Sequence, residues 1–200
     1  MLNCKNISIK SNSRNLINNF NINLKKREIL TIKGSSGIGK TTFLKYILGI
    51  KENNFIYSGN IFLNNVDITN YLTINRNISM IFQDDFLFPH LNVIQNLELI
   101  NRLESTKPKE LLELNNLLHL KHSMPANISG GELTRILLLR ILLLDTDVVL
   151  LDEPFNGIDK NNKTDIKNFF FENLINNEKV AILVTHNDED IYDNKKVINL

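Results

Sequence analysis

The run Ile128-Ser129-Gly130-Gly131-Glu132 heads a leucine-rich stretch, and Val148-Val149-Leu150-Leu151-Asp152-Glu153-Pro154 follows it. A Ser-Gly-Gly run opening a helix aims free backbone N–H groups and the positive end of the helix dipole at one point, which makes an anion site. A second anion site stands earlier, at Gly34-Ser35-Ser36-Gly37-Ile38-Gly39-Lys40-Thr41. Its spacing satisfies the phosphate-loop pattern, and it lies between a strand pattern and a helix pattern, as that mechanism requires. The glycines let the backbone curl into a nest of N–H groups around phosphates. Lys40 would hold the β- and γ-phosphates, the Thr41 hydroxyl would bind Mg²⁺, and Thr42 can reach the α-phosphate. Taken alone, this motif establishes a nucleoside triphosphate site. Two phosphate sites and one catalytic strand suggest a nucleotide held between two molecules.

Asp152 and Glu153 close a strand that is apolar throughout, which places both acids at the carboxyl edge of a sheet, where ligands bind. Asp152 would reach Mg²⁺, directly or through water, and Glu153 would polarise the water that attacks the γ-phosphate. Gln83 follows the strand pattern 78–82, where a Gln can ligate Mg²⁺ or the attacking water. His186 follows 180–184 and can contact the γ-phosphate and hold the water's geometry. His90, His119 and His122 carry no comparable context and are assigned to structure.

The elements that must position these groups read as one α/β domain. With 200 residues, a net charge of +1 and 42% hydrophobic residues, the chain can bury a real core. Near-neutral charge argues against a general nucleic-acid binder. Cys4, the single cysteine, has no internal partner, which fits a reducing cytoplasm and an inert thiol in the first strand. Met1 to Lys5 leads into no apolar run, so no signal peptide is expected. The longest apolar region, 136–151, is broken by Arg140, Asp145 and Asp147, so nothing spans a bilayer, which takes roughly 20 apolar residues. Alternation predicts antiparallel strands at 2–9 and 20–24, and the Asn-heavy stretch 12–23 still carries a strand pattern. Further strands are expected at 29–33, 61–63, 78–82, 147–151, 180–184 and 196–200. Helices are expected at 40–48, ending at Gly49, and at 131–144 and 162–175, with 91–127 mostly helical.

The fixed order of phosphate loop, Gln83, Ser-Gly-Gly-Glu, Asp-Glu-Pro, Asp159 and His186 resembles the ATP-binding cassette family, specifically the ATPase subunits of ABC transporters. The resemblance covers nearly the whole chain. It implies an α/β fold: a phosphate-loop NTPase core of the ABC type, with an antiparallel β subdomain and a helical insertion at about 84–130, all one domain over 1–200. It implies ATP and Mg²⁺, and two subunits facing head to tail, a homodimer or a heterodimer, with the homodimer the expected form. Ser129, Gly130, Gly131 and Glu132 would then grip the γ-phosphate bound to the partner subunit. Gly157-Ile158-Asp159 matches the family's loop that crosses the dimer axis, while Arg135 and Arg140 match basic positions with structural roles. The segment from Phe82 to Val93 looks most like the import branch, where Phe86, Leu87 and Phe88 are candidates for a groove that receives an amphipathic helix of a membrane subunit. Phe169-Phe170-Phe171 reads as helix packing.

The implied function is ATP hydrolysis that energises import of a small solute through permease subunits, with a solute-binding protein as a further partner. Its place is the cytoplasmic face of the membrane. The alternative is a cassette of the same fold used as an ATP-switched regulatory or assembly module; a neighbouring permease gene would favour transport. Three departures from the family pattern stand out. Residues 1–19 hold no aromatic, whereas the family usually stacks one under adenine at a place that falls near Ser11. Losing such a stack costs roughly 1–3 kcal/mol, so weak adenine selectivity is expected. Arg27 stands where glycine is usual, implying a turn built differently, and Glu132 where Gln is commonest. The chain also ends one strand after His186, with no regulatory domain expected beyond it.

Overall fold

The computed structural model describes every residue except 12–13, 36, 84–85, 101–105 and 193–195. The chain divides into two compact units. Met1–Met80, Thr146–Asp152 and Leu174–Leu200 form the first; Ile81–Asp145 and Glu153–Asn173 form the second.

In the first unit β1 (Leu2–Ser11) pairs antiparallel with β2 (Asn15–Leu24) on one edge and with β4 (Phe55–Leu63) on the other. β1 buries Leu2 and Cys4, then Ile7 and Ile9, so its two-residue alternation slips by one at the middle. Asn6 absorbs that slip at φ 53, beside register shifts in both pairings. The bulge keeps all four apolar side chains on the core face. Gly59 of β4 lies so close that a Cβ there would sit 2.6 Å from the carbonyl oxygens of Lys5 and Asn6. The short β5 (Val66–Asp67) completes this sheet, in the order β2-β1-β4-β5.

The second sheet of this unit has the order β6-β7-β8-β3-β9, made of β6 (Ile78–Ile81), β7 (Val148–Asp152), β8 (Val180–Val184), β3 (Ile29–Lys33) and β9 (Val197–Asn199). β7 and β8 are buried at every residue, as expected of parallel strands covered on both faces. The parallel register sets Ile32 beside Val184 and Val184 beside Asp152. The carboxyl ends of β3, β8 and β7 therefore finish level, at one edge. α1 (Lys40–Leu48) follows β3 and ends in a left-handed Gly49, φ 102, whose N–H bonds back to Lys45 and Tyr46. The buried Arg76 donates to Tyr46 O, Ile47 O, Thr69 O and Tyr71 O, so a cation closes the last turn of α1.

The second unit is built of α2 (Val93–Glu98), α3 (Lys107–Leu114), α4 (Gly130–Leu142) and most of α5 (Lys160–Asn176). It thus extends past the expected insertion at 84–130 to take in α4 and α5. Its core includes Val93, Leu97, Leu112 and Ile136, and Phe155, Phe170 and Phe171 pack edge to face.

Several boundaries differ from expectation. β2 starts at Asn15, inside the Asn-heavy stretch that carries a strand pattern, whereas β4 starts at Phe55, well before the expected 61, because the Gly59 crossing hides the alternation. Among the described residues of 91–127 only α2, α3 and single 3-10 turns at 118–120 and 125–127 are helical. α3 stops where Asn116 turns left-handed, φ 55, and Pro125 opens the last turn. Arg27 occupies its turn at φ 67, so an arginine takes a backbone that glycine adopts freely, and its guanidinium bonds Glu178 at 2.9 Å.

Candidate functional site

In the first unit, β3 delivers the chain into a loop that turns left-handed at Gly37 and Gly39, φ 77 and 110, and opens α1 with no side-chain cap. The first N–H groups of α1 are thereby left to an anion. Lys40 is buried and folds over the loop, its Nζ donating to Gly34 O at 2.7 Å and Ser35 O at 3.0 Å. Ile38 is half-buried, and Ser36 lies outside the described residues. Thr41 Oγ1 donates to Asp152 Oδ2 at 2.6 Å, joining the start of α1 to the end of β7, and Thr42 follows on the same turn. A hydroxyl and a carboxylate held together are hard oxygen donors of the kind Mg²⁺ takes, one or two at a time, with water and phosphate oxygens completing its shell. These residues fit Mg²⁺.

His186 emerges exposed just after β8, at the sheet edge that carries Asp152. Its turn is pinned by Thr185, whose hydroxyl donates to Asp190 Oδ2 at 2.9 Å and accepts from the N–H of Asn187 at 3.0 Å. Arg14, just before β2, reaches the phosphate loop. Arg14 Nη2 donates to Gly37 O at 2.6 Å, a contact that motif reasoning missed. Its one signal in the sequence is that Arg14 is the only charged residue between Lys10 and Lys25.

In the second unit, Ser129 caps α4. Its Oγ accepts from the Glu132 N–H at 3.4 Å, and Glu132 Oε2 accepts from the Ser129 N–H at 3.1 Å and from the Ser129 hydroxyl at 2.5 Å. This reciprocal box accepts Glu or Gln at its third position, which accounts for Glu132 where Gln is commonest. The Ser129 hydroxyl holds the Glu132 carboxyl below its ordinary range, and His119 Nε2 lies 3.7 Å from Oε1. Gly130 is open: a Cβ there would meet nothing within 4 Å. Gly131 is not, since its Cβ would lie 2.9 Å from Gly157 O.

Glu153, directly after Asp152, sits at φ 50, a left-handed backbone that costs a residue with a side chain about 1–3 kcal/mol. Asn156 holds it there, donating from Nδ2 to Glu153 Oε2 at 2.7 Å and from N–H to Glu153 O at 3.3 Å. A cavity of about 290 Å³ in this unit is lined by Gln83, Gly130, Thr134, Glu153, Asn156 and Gly157, among others. Gln83, Gly130, Glu153 and Gly157, singled out from four separate motifs, thus share one cavity. Asp159 is exposed and its carbonyl accepts the N–H groups of Asn162 and Lys163 at the start of α5. Of the groove candidates, Phe86 is exposed, but Leu87 is buried and belongs to the core. Phe88 lies under the Arg140 guanidinium, 4.9 Å from its centroid. Arg140 also donates to Phe86 O, and Arg135 to Asn115 O, which gives both arginines the structural roles expected of them.

A sequence profile described as ABC transporter matches residues 17–156, which carry the phosphate loop, Gln83, Ser129 to Glu132 and Asp152 to Glu153. The chain belongs to the ABC transporter family. Among its ABC relatives, the uncharacterized ABC transporter ATP-binding protein YnjD of Escherichia coli (strain K12) is 31% identical, with 100% of this chain and 95% of that protein covered. The Fe(3+) ions import ATP-binding protein FbpC of Fusobacterium nucleatum is 34% identical over 88% of this chain. The molybdate/tungstate import ATP-binding protein WtpC of Pyrococcus abyssi is 39% identical over 74%. The chain spans 48% and 44% of the length of those two import proteins. A dimeric ATP-binding cassette solved in a post-hydrolysis state with ADP and Pi superposes with a TM-score of 0.83 at 24% identity, over 100% of this chain and 94% of its own. The fold is that of the ABC ATPase cassette. Among the described residues no helix is long and apolar enough to cross a membrane.

Proposed function

We propose that this protein is the ATP-binding and ATP-hydrolysing subunit of an ABC importer, energising passage of a small solute through partner permease subunits at the cytoplasmic face of the membrane. The observation that carries it is the Thr41–Asp152 hydrogen bond, 2.6 Å, which joins the phosphate-loop helix to the catalytic strand on the first unit's sheet edge. Lys40 and the N–H groups of Gly37 to Thr41 bind the phosphates. Ser35 and Thr42 flank the same site, and Thr41 and Asp152 would hold Mg²⁺, which supplies charge neutralisation on the phosphates when bound. Glu153 accepts the proton of the attacking water, held at one angle by Asn156 and its strained backbone. His186 contacts the γ-phosphate.

Ser129, Gly130 and Gly131 act on the nucleotide of a second copy, with Asp159 coupling the two sites. The open face of Gly130 supports this, and so does the dimeric cassette solved with ADP and Pi. The import names of FbpC and WtpC support the direction of transport, with a solute-binding protein as the further partner. The test is paired: Lys40→Ala abolishes ATP binding by titration, while Glu153→Gln keeps binding and stops phosphate release. Hydrolysis at the unsubstituted rate by Glu153→Gln overturns the assignment of Glu153, and failure to copurify with any multi-span membrane protein overturns the transport role.

A further inference from the structure

Arg14, and Leu16 of β2, both meet the phosphate loop. Arg14 Nη2 donates to Gly37 O at 2.6 Å, and the Cβ of Leu16 lies 3.0 Å from where a Cβ on Gly39 would stand. Arg14 is held by Ser11. Ser11 N–H and Oγ donate to Arg14 O at 2.9 and 3.2 Å, and Ser11 Oγ accepts from the Arg14 N–H at 3.2 Å. Phe20 of β2 meets the edge of Phe43 of α1 at 5.2 Å, fixing β2 against the helix that the loop opens. The exposed Arg14 guanidinium is thus held on a loop that turns left-handed at Gly37 and Gly39.

We propose that Arg14 is a nucleotide-contacting residue of this site: its guanidinium contributes charge to the phosphate chain of the bound nucleoside triphosphate, not a contact to the base. The assignment rests on the phosphate-binding role proposed above for Gly34 to Thr41. Three features favour phosphate. Arg14 is anchored on the loop's own carbonyl, so its charge is fixed at the anion nest. Arginine's planar fork of five N–H donors matches phosphate oxygens. And the sequence around it offers no aromatic side chain with which to hold a base, since residues 1–19 contain none. A cation that serves the phosphates makes binding indifferent to the base and sensitive to salt.

Binding of ATP, GTP and inorganic tripolyphosphate is measured by calorimetry on the intact protein, Arg14→Ala and Arg14→Lys, at low and high salt, with Lys40→Ala as reference. The expected result is that Arg14→Ala weakens all three ligands by a similar factor, on the order of tenfold at low salt and less at high salt. Arg14→Lys restores most of the loss. If Arg14→Ala weakens ATP and GTP but leaves tripolyphosphate unchanged, Arg14 reads the base and the proposal fails. If none of the three changes, the Gly37 contact is structural and the proposal fails. If Lys40→Ala also leaves tripolyphosphate binding intact, the phosphate-loop role itself fails, which is a separate outcome.

Discussion

Gly130 and Gly131 stand side by side at the start of α4, yet the structure assigns them opposite fates on substitution by alanine. At Gly131 a new Cβ would lie 2.9 Å from the backbone oxygen of Gly157, closer than carbon and oxygen tolerate, so the helix start and the 157 turn must part. Such overpacking costs about 1–3 kcal/mol, offset by up to about 1 kcal/mol from alanine's better helix propensity. At Gly130 a Cβ meets nothing within 4 Å and the backbone is not left-handed, so Gly130→Ala leaves the fold as stable or raises it by up to about 1 kcal/mol. The face it fills is the one assigned to the nucleotide of a second copy. Displacing one charge-assisted N–H contact there costs about 1.5–3 kcal/mol, or roughly tenfold to a hundredfold in turnover. Thermal melting, ATP titration and steady-state ATPase across a series of protein concentrations read these terms separately. Gly130→Ala melts at or above the unsubstituted temperature, binds ATP normally and loses turnover, with the loss partly relieved at high protein concentration. Normal turnover by Gly130→Ala refutes the placement of that face against a partner, and a loss independent of protein concentration assigns it to the chain's own cavity with Gln83 and Glu153.

Arg76→Met removes the buried cation from four carbonyls, two of them in the last turn of α1, and destabilises the protein to urea by about 3 kcal/mol; a loss under about 1 kcal/mol refutes its role as the helix's closing group. Cys4 is fully buried, and burial pushes its thiol up to about 12, so the native protein resists a thiol reagent at pH 8 and reacts fully only in denaturant. Reaction of the native protein within minutes contradicts that burial. ATP and GTP bind within roughly tenfold of each other, because no aromatic in residues 1–19 stacks on the base; a hundredfold preference for ATP counts against it.

The elements assigned to phosphate were legible because their signal is local. β8 and the helix from Lys40 to Leu48 fall where apolar runs and the flanking Gly39 and Gly49 put them. The antiparallel sheet was read short at Phe55, where the close crossing at Gly59 breaks a two-residue period that exists only once the strands are paired. Between 91 and 127, leucine spacing suggested mostly helix, whereas α3 ends where Asn116 turns left-handed and only single 3-10 turns follow it in that stretch. At the site, motif residues were recognisable by type, but their supports were not. Asn156 on Glu153 is a neighbour whose role appears only with the strained backbone, and Arg14 on Gly37 spans 23 positions of sequence. Arg27 shows the converse: a departure in residue type that leaves a left-handed turn in place.

The central claim is that Ser129 acts on the nucleotide of a second copy while Glu153 acts on the chain's own. Sedimentation of Glu153→Gln with and without ATP, beside Glu153→Gln with Ser129→Arg, tests it most directly. The first variant is expected to double in mass on adding ATP. The second should bind ATP with similar affinity and stay at the mass of one chain. Equal masses for the two variants in ATP, with binding intact in both, would contradict the claim.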